Sequence, residues 1–380
     1  VPGRLRAILS DQEATAMSGG KKPTSKAKNQ PFEIAGHTVQ PGERFQFDLV
    51  ALNLYTHTPL DLPVEVIHGR QPGPVLLICA AIHGDELNGV EIIRRVSSFR
   101  SLGRLHGTLV LVPVVNLFGF IHQSRYLPDR RDLNRCFPGT ERGSLASRVA
   151  RLFFNEIVSP CTHIIDLHTA AVHRDNLPQI RAALDEPGVR EMAMGFSIPV
   201  IINSGLIENS LRYEAGKTGI PVITYEAGEA LRLDERCIVT GVRGIVSVMR
   251  TLGMLPTRRI KTVPAEPYIA RSTSWFRAPS DGMFRPLVAL GARVEAGDSI
   301  GVISAPFSSS DVLLNAPSDG IVICLNKLPL VNEGDALFHI ARFGEAAAVE
   351  EEIAEHGSSI EEDRLYEIET INRTDGESRS

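Results

Sequence analysis

The sequence predicts an α/β domain with a mixed, largely parallel sheet flanked by helices, followed by a small all-β domain of barrel or sandwich type. Three observations carry this. Short apolar runs alternate with stretches whose apolar residues recur at helical spacing. One such run, within Val75–Gly89, ends directly in a His-Gly-Asp-Glu turn. After about residue 255 the chain changes to short β-like runs broken by Gly turns, and the string Ala-Pro-Ser-Asp-Gly occurs at 278–282 and again at 316–320.

The 380 residues suffice for one large domain or two. The formal charge of −5 gives no global reason to expect nucleic acid as a partner. No apolar run reaches membrane-spanning length. The five cysteines, Cys79, Cys136, Cys161, Cys237 and Cys324, are scattered without a CxxC pair. That argues against structural zinc and a disulfide framework, and for a reducing compartment, the cytoplasm.

In chain order, residues 1–30 are polar, lack the apolar core of a signal peptide and are expected to be disordered or loosely attached. A catalytic domain is expected over 31–258. Residues 46–52 and 63–69 read as strands, and 75–81 (VLLICAA) as a fully buried strand. Residues 86–102 read as a helix, with Leu87, Val90, Ile93, Val96 and Phe99 on one face. A buried strand follows at 108–115, with Asn116 at its end. Residues 118–143 form a loop-rich stretch dense in Arg, Asp and Asn. A helix is expected at 145–157, a buried strand at 162–167 ending at His168, and short strands at 200–202 and 222–225, the latter followed by Glu226. A helix over 234–252 closes the domain.

The second domain is expected over 259–343. The repeated string has an offset of 38 residues, and Gly297-Asp298 and Gly334-Asp335 repeat at an offset of 37. An internal duplication of this size suggests a two-fold β-barrel or sandwich and resembles the biotinyl/lipoyl barrel. Carrier domains of that kind present a Lys at a hairpin tip. The stretch between the halves here (SAPFSSSDVLLN) has none, and Lys327 lies inside the second repeat, so no carrier function is expected. The tail over 344–380 carries twelve acidic residues against three Arg and reads as a solvated or disordered segment.

The chemistry gathers at strand ends. In an open parallel sheet, the carboxyl ends of the strands form one crevice where ligands bind. His83 and Glu86 follow one predicted strand, His168 ends a second and Glu226 a third. Two His and one carboxylate are the ligand set of a catalytic zinc with an open position. Cobalt or manganese suits the same set. Glu226 then becomes the general base acting on metal-activated water. The loop SRYLPDRRDLNRCFPG (124–139) brings Arg125, Arg130, Arg131 and Arg135 near Asp132 and Asn134. Such a loop can clamp a carboxylate and hold a developing oxyanion.

HGDE, DLNR, a strand-end DLH and a later YEAG, in this order over about residues 45–255, resemble the succinylglutamate desuccinylase/aspartoacylase family, related to the zinc carboxypeptidases. The resemblance implies a zinc-carboxypeptidase-like fold and one zinc per chain on His83, Glu86 and His168, with Glu226 as base and proton shuttle. It implies that Arg125 polarises the scissile carbonyl, with Arg130 the competing choice because the loop is longer here. Asn134 and Arg135 would hold the substrate carboxylate, and Asp132 would orient the His83 ring. A further substrate-binding Arg is expected after DLH, and Arg181 is taken over Arg174. The loop wording is closest to bacterial deacetylases of N-acetylated diamino acids.

The function expected is a metal-dependent hydrolase cleaving the amide of a small N-acyl amino acid, with no nucleic acid or membrane partner. The barrel-like domain would narrow the entrance and offer an assembly surface for a homo-oligomer. The rivals are an esterase or carboxypeptidase on the same zinc site, and a non-catalytic binder of an acidic metabolite, which would need no base.

Overall fold

The computed structural model describes residues 28–53, 59–256, 266–305 and 311–377, with 51–53, 59 and 362–377 as backbone only. Residues 1–27, most of the segment expected to be disordered, lie outside the described residues, as does the expected boundary at 258/259. Among the described residues no helix is long and apolar enough to cross a membrane.

The first unit is built on β1 (Arg44–Asn53), β2 (Pro59–His68), β3 (Gln71–Ala80), α1 (Asn88–Ser97), β4 (His106–Val112), α2 (Leu145–Phe153), β5 (His163–Ala170), β6 (Arg174–Ala182), β7 (Val200–Asn203), β8 (Val222–Glu229) and α3 (Glu235–Thr251). Its sheet runs β6-β8-β5-β3-β4-β2-β1. The strands β8, β5, β3 and β4 are mutually parallel, while β6 pairs antiparallel with β8, β2 with β4, and β1 with β2. The sheet is therefore mixed around a parallel centre.

Strand β3 shows why its sequence is a continuous apolar run. Leu76, Ile78 and Ala80 face one core with Ile92 and Val96 of α1 and Ile238 and Ile245 of α3. Leu77 and Cys79 face the other, with Val149 and Phe153 of α2. Side chains alternate along a strand, so a strand covered on both faces needs apolar residues at every position. The flanking helices α2 and α3 begin at a side-chain cap, whereas α1 has none. Ser144 Oγ accepts from Ser147 N at 3.3 Å, and Asp234 Oδ1 accepts from Arg236 N at 2.9 Å and Cys237 N at 3.2 Å.

The C-terminal part is an all-β sandwich. The strands β9 (Ser272–Arg277), β10 (Gly320–Asn326) and β11 (Ala336–Arg342) form one layer. Gly282–Pro286, Ser299–Ser304, Val312–Asn315 and Leu330–Val331 form the other. Phe284, Ile300, Ile303, Leu314, Val322, Phe338 and Ile340 fill the space between. The first layer also continues the main sheet, because β10 pairs antiparallel with β6 through Cys324 and Asn176.

Three sequence expectations need correction. The helix expected at 86–102 is α1, followed by a 3-10 turn over Arg100–Arg104 after Phe99 takes an extended conformation. The helix expected at 145–157 is α2, continued by a π turn over Phe154–Val158. The acidic tail is helical: α4 spans Ala346–Glu377. Val349 and Ile353 pack on Ile321, Ile323 and Ala341 of the sandwich. Arg236 of α3 pairs with Glu361 at 3.5 Å. A narrow apolar stripe suffices for docking, and the tail's overall acidity hides it.

The strand β6 is not expected from its sequence, RDNLPQIRA. Its pairing with β8 shifts register between Glu226↔Gln179 and Gly228↔Asn176, and Pro178 sits in that irregularity. The shift breaks the two-residue alternation by which a strand is recognised.

Candidate metal centre and substrate cleft

The site forms where the chain leaves β3. Ala81 is buried with a left-handed φ of 50°. The turn is held by Val115 N and Asn116 N, which donate to Ala80 O at 3.0 Å and Ala81 O at 2.9 Å. Gly84 then lies against the backbone of Gly119, where a Cβ would come within 2.0 Å of the Gly119 carbonyl carbon. Only glycine permits that approach. It leaves His83 and Glu86, both under 5 % exposed, directed at β5.

His83, Glu86 and His168 each offer one ligand atom, and these lie within 4.8 Å of one another. The Nδ1 atoms of His83 and His168 are each 2.7 Å from a different oxygen of Glu86. Thr169 N donates to Glu86 Oε2 at 3.2 Å. Each imidazole then has its Nε2 on a further carboxylate: His83 on Asp132 Oδ1 at 3.1 Å, His168 on Asp166 Oδ2 at 2.8 Å. Two imidazole nitrogens converging on one carboxylate, with both outer nitrogens anchored, suit a divalent metal of the zinc type. Burial opposes the charge on Glu86, yet His83 and His168 hold its carboxyl well below the usual carboxylate range. Burial also opposes the charge on Asp132, and there His83 and Arg125 win.

Glu226 sits beside His168 on the neighbouring strand β8, in direct register with it. Asn176 Nδ2 donates to Glu226 Oε2 at 2.8 Å, and Arg181 Nε lies 3.7 Å from Oε1. At Gly228, φ is 78°, and a Cβ would meet Asn88 Nδ2 at 2.7 Å. Asn88 in turn ties Ala227 O to Asp234 N, which fixes the chain just beyond Glu226.

A cavity of about 290 Å³ opens over these groups. Arg125 lines it, with Nη2 2.9 Å from Asp132 Oδ2 and Nη1 3.4 Å from Glu86 Oε1. Arg130 is exposed and outside the lining, so of the two candidates Arg125 is the one that lines the cavity. Asn134 and Arg135 line the cavity, and Asn134 Oδ1 accepts from Leu211 N at 2.9 Å. Both Arg181 and Arg174 also line it, so the choice between them is not exclusive.

Several lining residues were not expected. Asp166 has a signal in the sequence: it stands two residues before His168 in a strand, on the same face. Arg212 donates to Ser204 Oγ at 3.0 Å and Gly205 O at 2.9 Å, and burial pushes its guanidinium pKa down. Trp275 and Cys324 reach the cavity from the C-terminal sandwich. Neither they nor Arg212 carry a local signal, because they come from segments far from the motifs.

Residues 72–252 match the succinylglutamate desuccinylase/aspartoacylase catalytic domain model. Over that stretch the chain belongs to the succinylglutamate desuccinylase/aspartoacylase family. A curated relative, N-alpha-acetyl-L-2,4-diaminobutyric acid deacetylase of Halomonas elongata, is 25% identical over 299 residues, covering 75% of this chain and 86% of the relative. Among solved structures, a succinylglutamate desuccinylase/aspartoacylase from Rhodobacter sphaeroides has a TM-score of 0.70 at 24% identity, covering 78% of this chain and 96% of that one. The product-bound ectoine utilization protein EutE (DoeB) of Ruegeria pomeroyi has a TM-score of 0.70 at 22% identity, covering 78% and 95%. The likeness to these two structures is one of fold.

Proposed function

We propose that this family member is a zinc-dependent hydrolase that removes the acyl group from a small N-acyl amino acid. The observation that carries it is the convergence of His83, Glu86 and His168 on one point, with Glu226 in register on the next strand. The deacetylase activity named for the Halomonas elongata relative supports the same reaction class.

Zinc held by the three side chains would supply Lewis acidity and bring a water's pKa toward neutrality. Glu226, held by Asn176 and set beside Arg181, takes the proton of the attacking water and later returns it to the leaving nitrogen. The carbonyl carbon gains the water oxygen and loses the amine. Arg125, oriented by Asp132, donates to the oxyanion as it develops. Asn134 keeps its amide nitrogen free because its oxygen is taken by Leu211 N, and with Arg135 it receives the substrate α-carboxylate. Arg212, fixed by Ser204 and Gly205, is a further group for that carboxylate. Trp275 and Cys324 wall the cavity from the sandwich side, which favours small substrates over the peptide chains a carboxypeptidase must admit. We also propose residues 31–258 as the catalytic unit and 259–343 as the module that narrows its entrance.

The test is metal analysis of wild type and Glu226→Gln, with hydrolysis assayed on N-acetyl, N-succinyl and N-formyl amino acids. The expected result is about one zinc per chain in both, and a kcat lower by about 10²–10⁴ in the variant. Absence of zinc from both proteins sinks the reading. Equal turnover removes Glu226 from its role.

A further inference from the structure

Gln179 on β6 is fully enclosed, 0 % exposed, yet among the described residues neither its amide oxygen nor its amide nitrogen has a hydrogen-bond partner. Buried polar side chains are almost always paired, so an amide sealed in this way calls for an explanation. Its place in the sheet narrows that explanation. Gln179 stands opposite Glu226 in the β6-β8 ladder, and two residues on Arg181 stands opposite Thr224. Directly opposed side chains share a face of a sheet, and so do residues two apart on one strand. Gln179, Arg181 and Glu226 therefore project to one side, the side on which Arg181, Thr224 and Glu226 line the cavity. Gln179 is not part of that lining.

A second buried group on this face is unpartnered as well. Arg181 Nε has no hydrogen bond, and it lies 3.7 Å from Glu226 Oε1, too far for a direct one. The other oxygen of Glu226 is taken by Asn176 Nδ2 at 2.8 Å. An amide and a guanidinium nitrogen, both sealed and both without a partner, thus flank the carboxylate oxygen that Asn176 leaves free. Polar groups held more than about 3.5 Å apart in such a place are bridged by water, and an enclosed water needs roughly two to four polar partners. Gln179, Arg181 Nε and Glu226 Oε1 supply three.

We propose that Gln179 is a positioning residue for Glu226, acting through one enclosed water shared with Arg181 Nε. The water accepts from Arg181 Nε and gives its hydrogens to Glu226 Oε1 and to the Gln179 amide oxygen. The carboxylate is then held at both oxygens, by Asn176 on one and by the water on the other, and cannot turn about its last bond. Each carboxylate oxygen has a second lone pair, so a site stays open for the proton that Glu226 takes and returns. Gln179 itself does not touch the substrate. This rests on the hydrolase reading, in which Glu226 is the base, and deepens it. It also predicts a trade: an amide with no direct protein partner lowers stability, and is kept for what it does to Glu226.

Gln179→Met keeps the length of the side chain and removes both polar atoms. On the zinc-loaded full chain, kcat for an N-acyl amino acid is expected to fall by about tenfold with KM unchanged, while the melting temperature holds or rises. In the Glu226→Gln background the same change is expected to lower kcat no further, because no base is left to orient. Unchanged kcat in Gln179→Met overturns the role. So does an equal fall in both backgrounds, since a loss of packing alone does not depend on Glu226. High-resolution crystal structures of wild type and Gln179→Met read the claim without turnover. A water within hydrogen-bond reach of Gln179, Arg181 Nε and Glu226 Oε1, lost in the variant together with the orientation of the Glu226 carboxylate, upholds the positioning even if no acyl amino acid is hydrolysed, in which case the hydrolase reading alone falls. The absence of that water from wild type, or a Glu226 carboxylate placed identically in both proteins, overturns it.

Discussion

His83 and His168 reach the same carboxylate at the same distance, and each has its second nitrogen on an aspartate, yet the two supports are built differently. Asp166 lies two residues before His168 on β5, only 2 % exposed, with Cys79 Sγ 3.6 Å from its other oxygen. Asp132 lies 49 residues from His83 in a loop and is shared with Arg125 Nη2 and the backbone N of Asn134. One support is local and walled in by the sheet. The other is assembled from the segment that also carries the proposed substrate groups. A change at Asp166 should therefore act on one histidine, and a change at Asp132 on a network.

Four substitutions sharpen or break that contrast, on the proposed metal site. Glu86→Gln strikes what both supports share and should have the largest effect. Metal analysis after gel filtration is expected to fall from about one ion per chain to near none, because a neutral amide is a poor third ligand. Full occupancy would mean that the two histidines do not depend on Glu86. Next comes Asp166→Asn, expected to weaken metal binding by roughly 100-fold in chelator competition, the upper end for removal of such a partner. Asp132→Asn should weaken it by about 10-fold, the lower end, but should lower kcat further because Arg125 loses its anchor. If the two variants match in both affinity and kcat, the distinction drawn above is wrong. The smallest effect is expected from Cys79→Ala. Thermal melting should register a loss of about 1 kcal/mol, with little change in metal affinity, because a weak thiol contact to Asp166 and the packing of one buried sulfur are removed.

The same contrast explains what could be read from the sequence. His83, Glu86, His168 and Glu226 each follow or end a short apolar run, and the parallel centre of the sheet puts all such ends along one edge. Arg125, Asn134 and Arg135 were visible because one loop concentrates them. Arg174 and Asn176 lie on β6, whose Pro178 and shifted register make it read as a loop. Trp275 reaches the cavity only through two further antiparallel pairings, β10 with β11 and β11 with β9. No spacing rule connects residue 275 to residue 168. The tail failed for another reason: composition averages over a helix, whereas docking depends on a stripe containing Val349 and Ile353.

The strand β6 has a divided border. On the side away from β8, its first residues bond to β10, through Asp175↔Leu325 and Asn176↔Cys324, and its last residues to β7, through Ile180↔Ile201 and Ala182↔Asn203. The sandwich thus acts as a stopper for half of a strand that would otherwise present bare amides and carbonyls beside the cleft. A chain cut after the first unit would carry an unguarded margin next to its most polar pocket, open to strands of other molecules. Solubility and catalysis are thereby tied to the same few hydrogen bonds, and the sandwich could be exchanged in evolution only for something that also closes that margin.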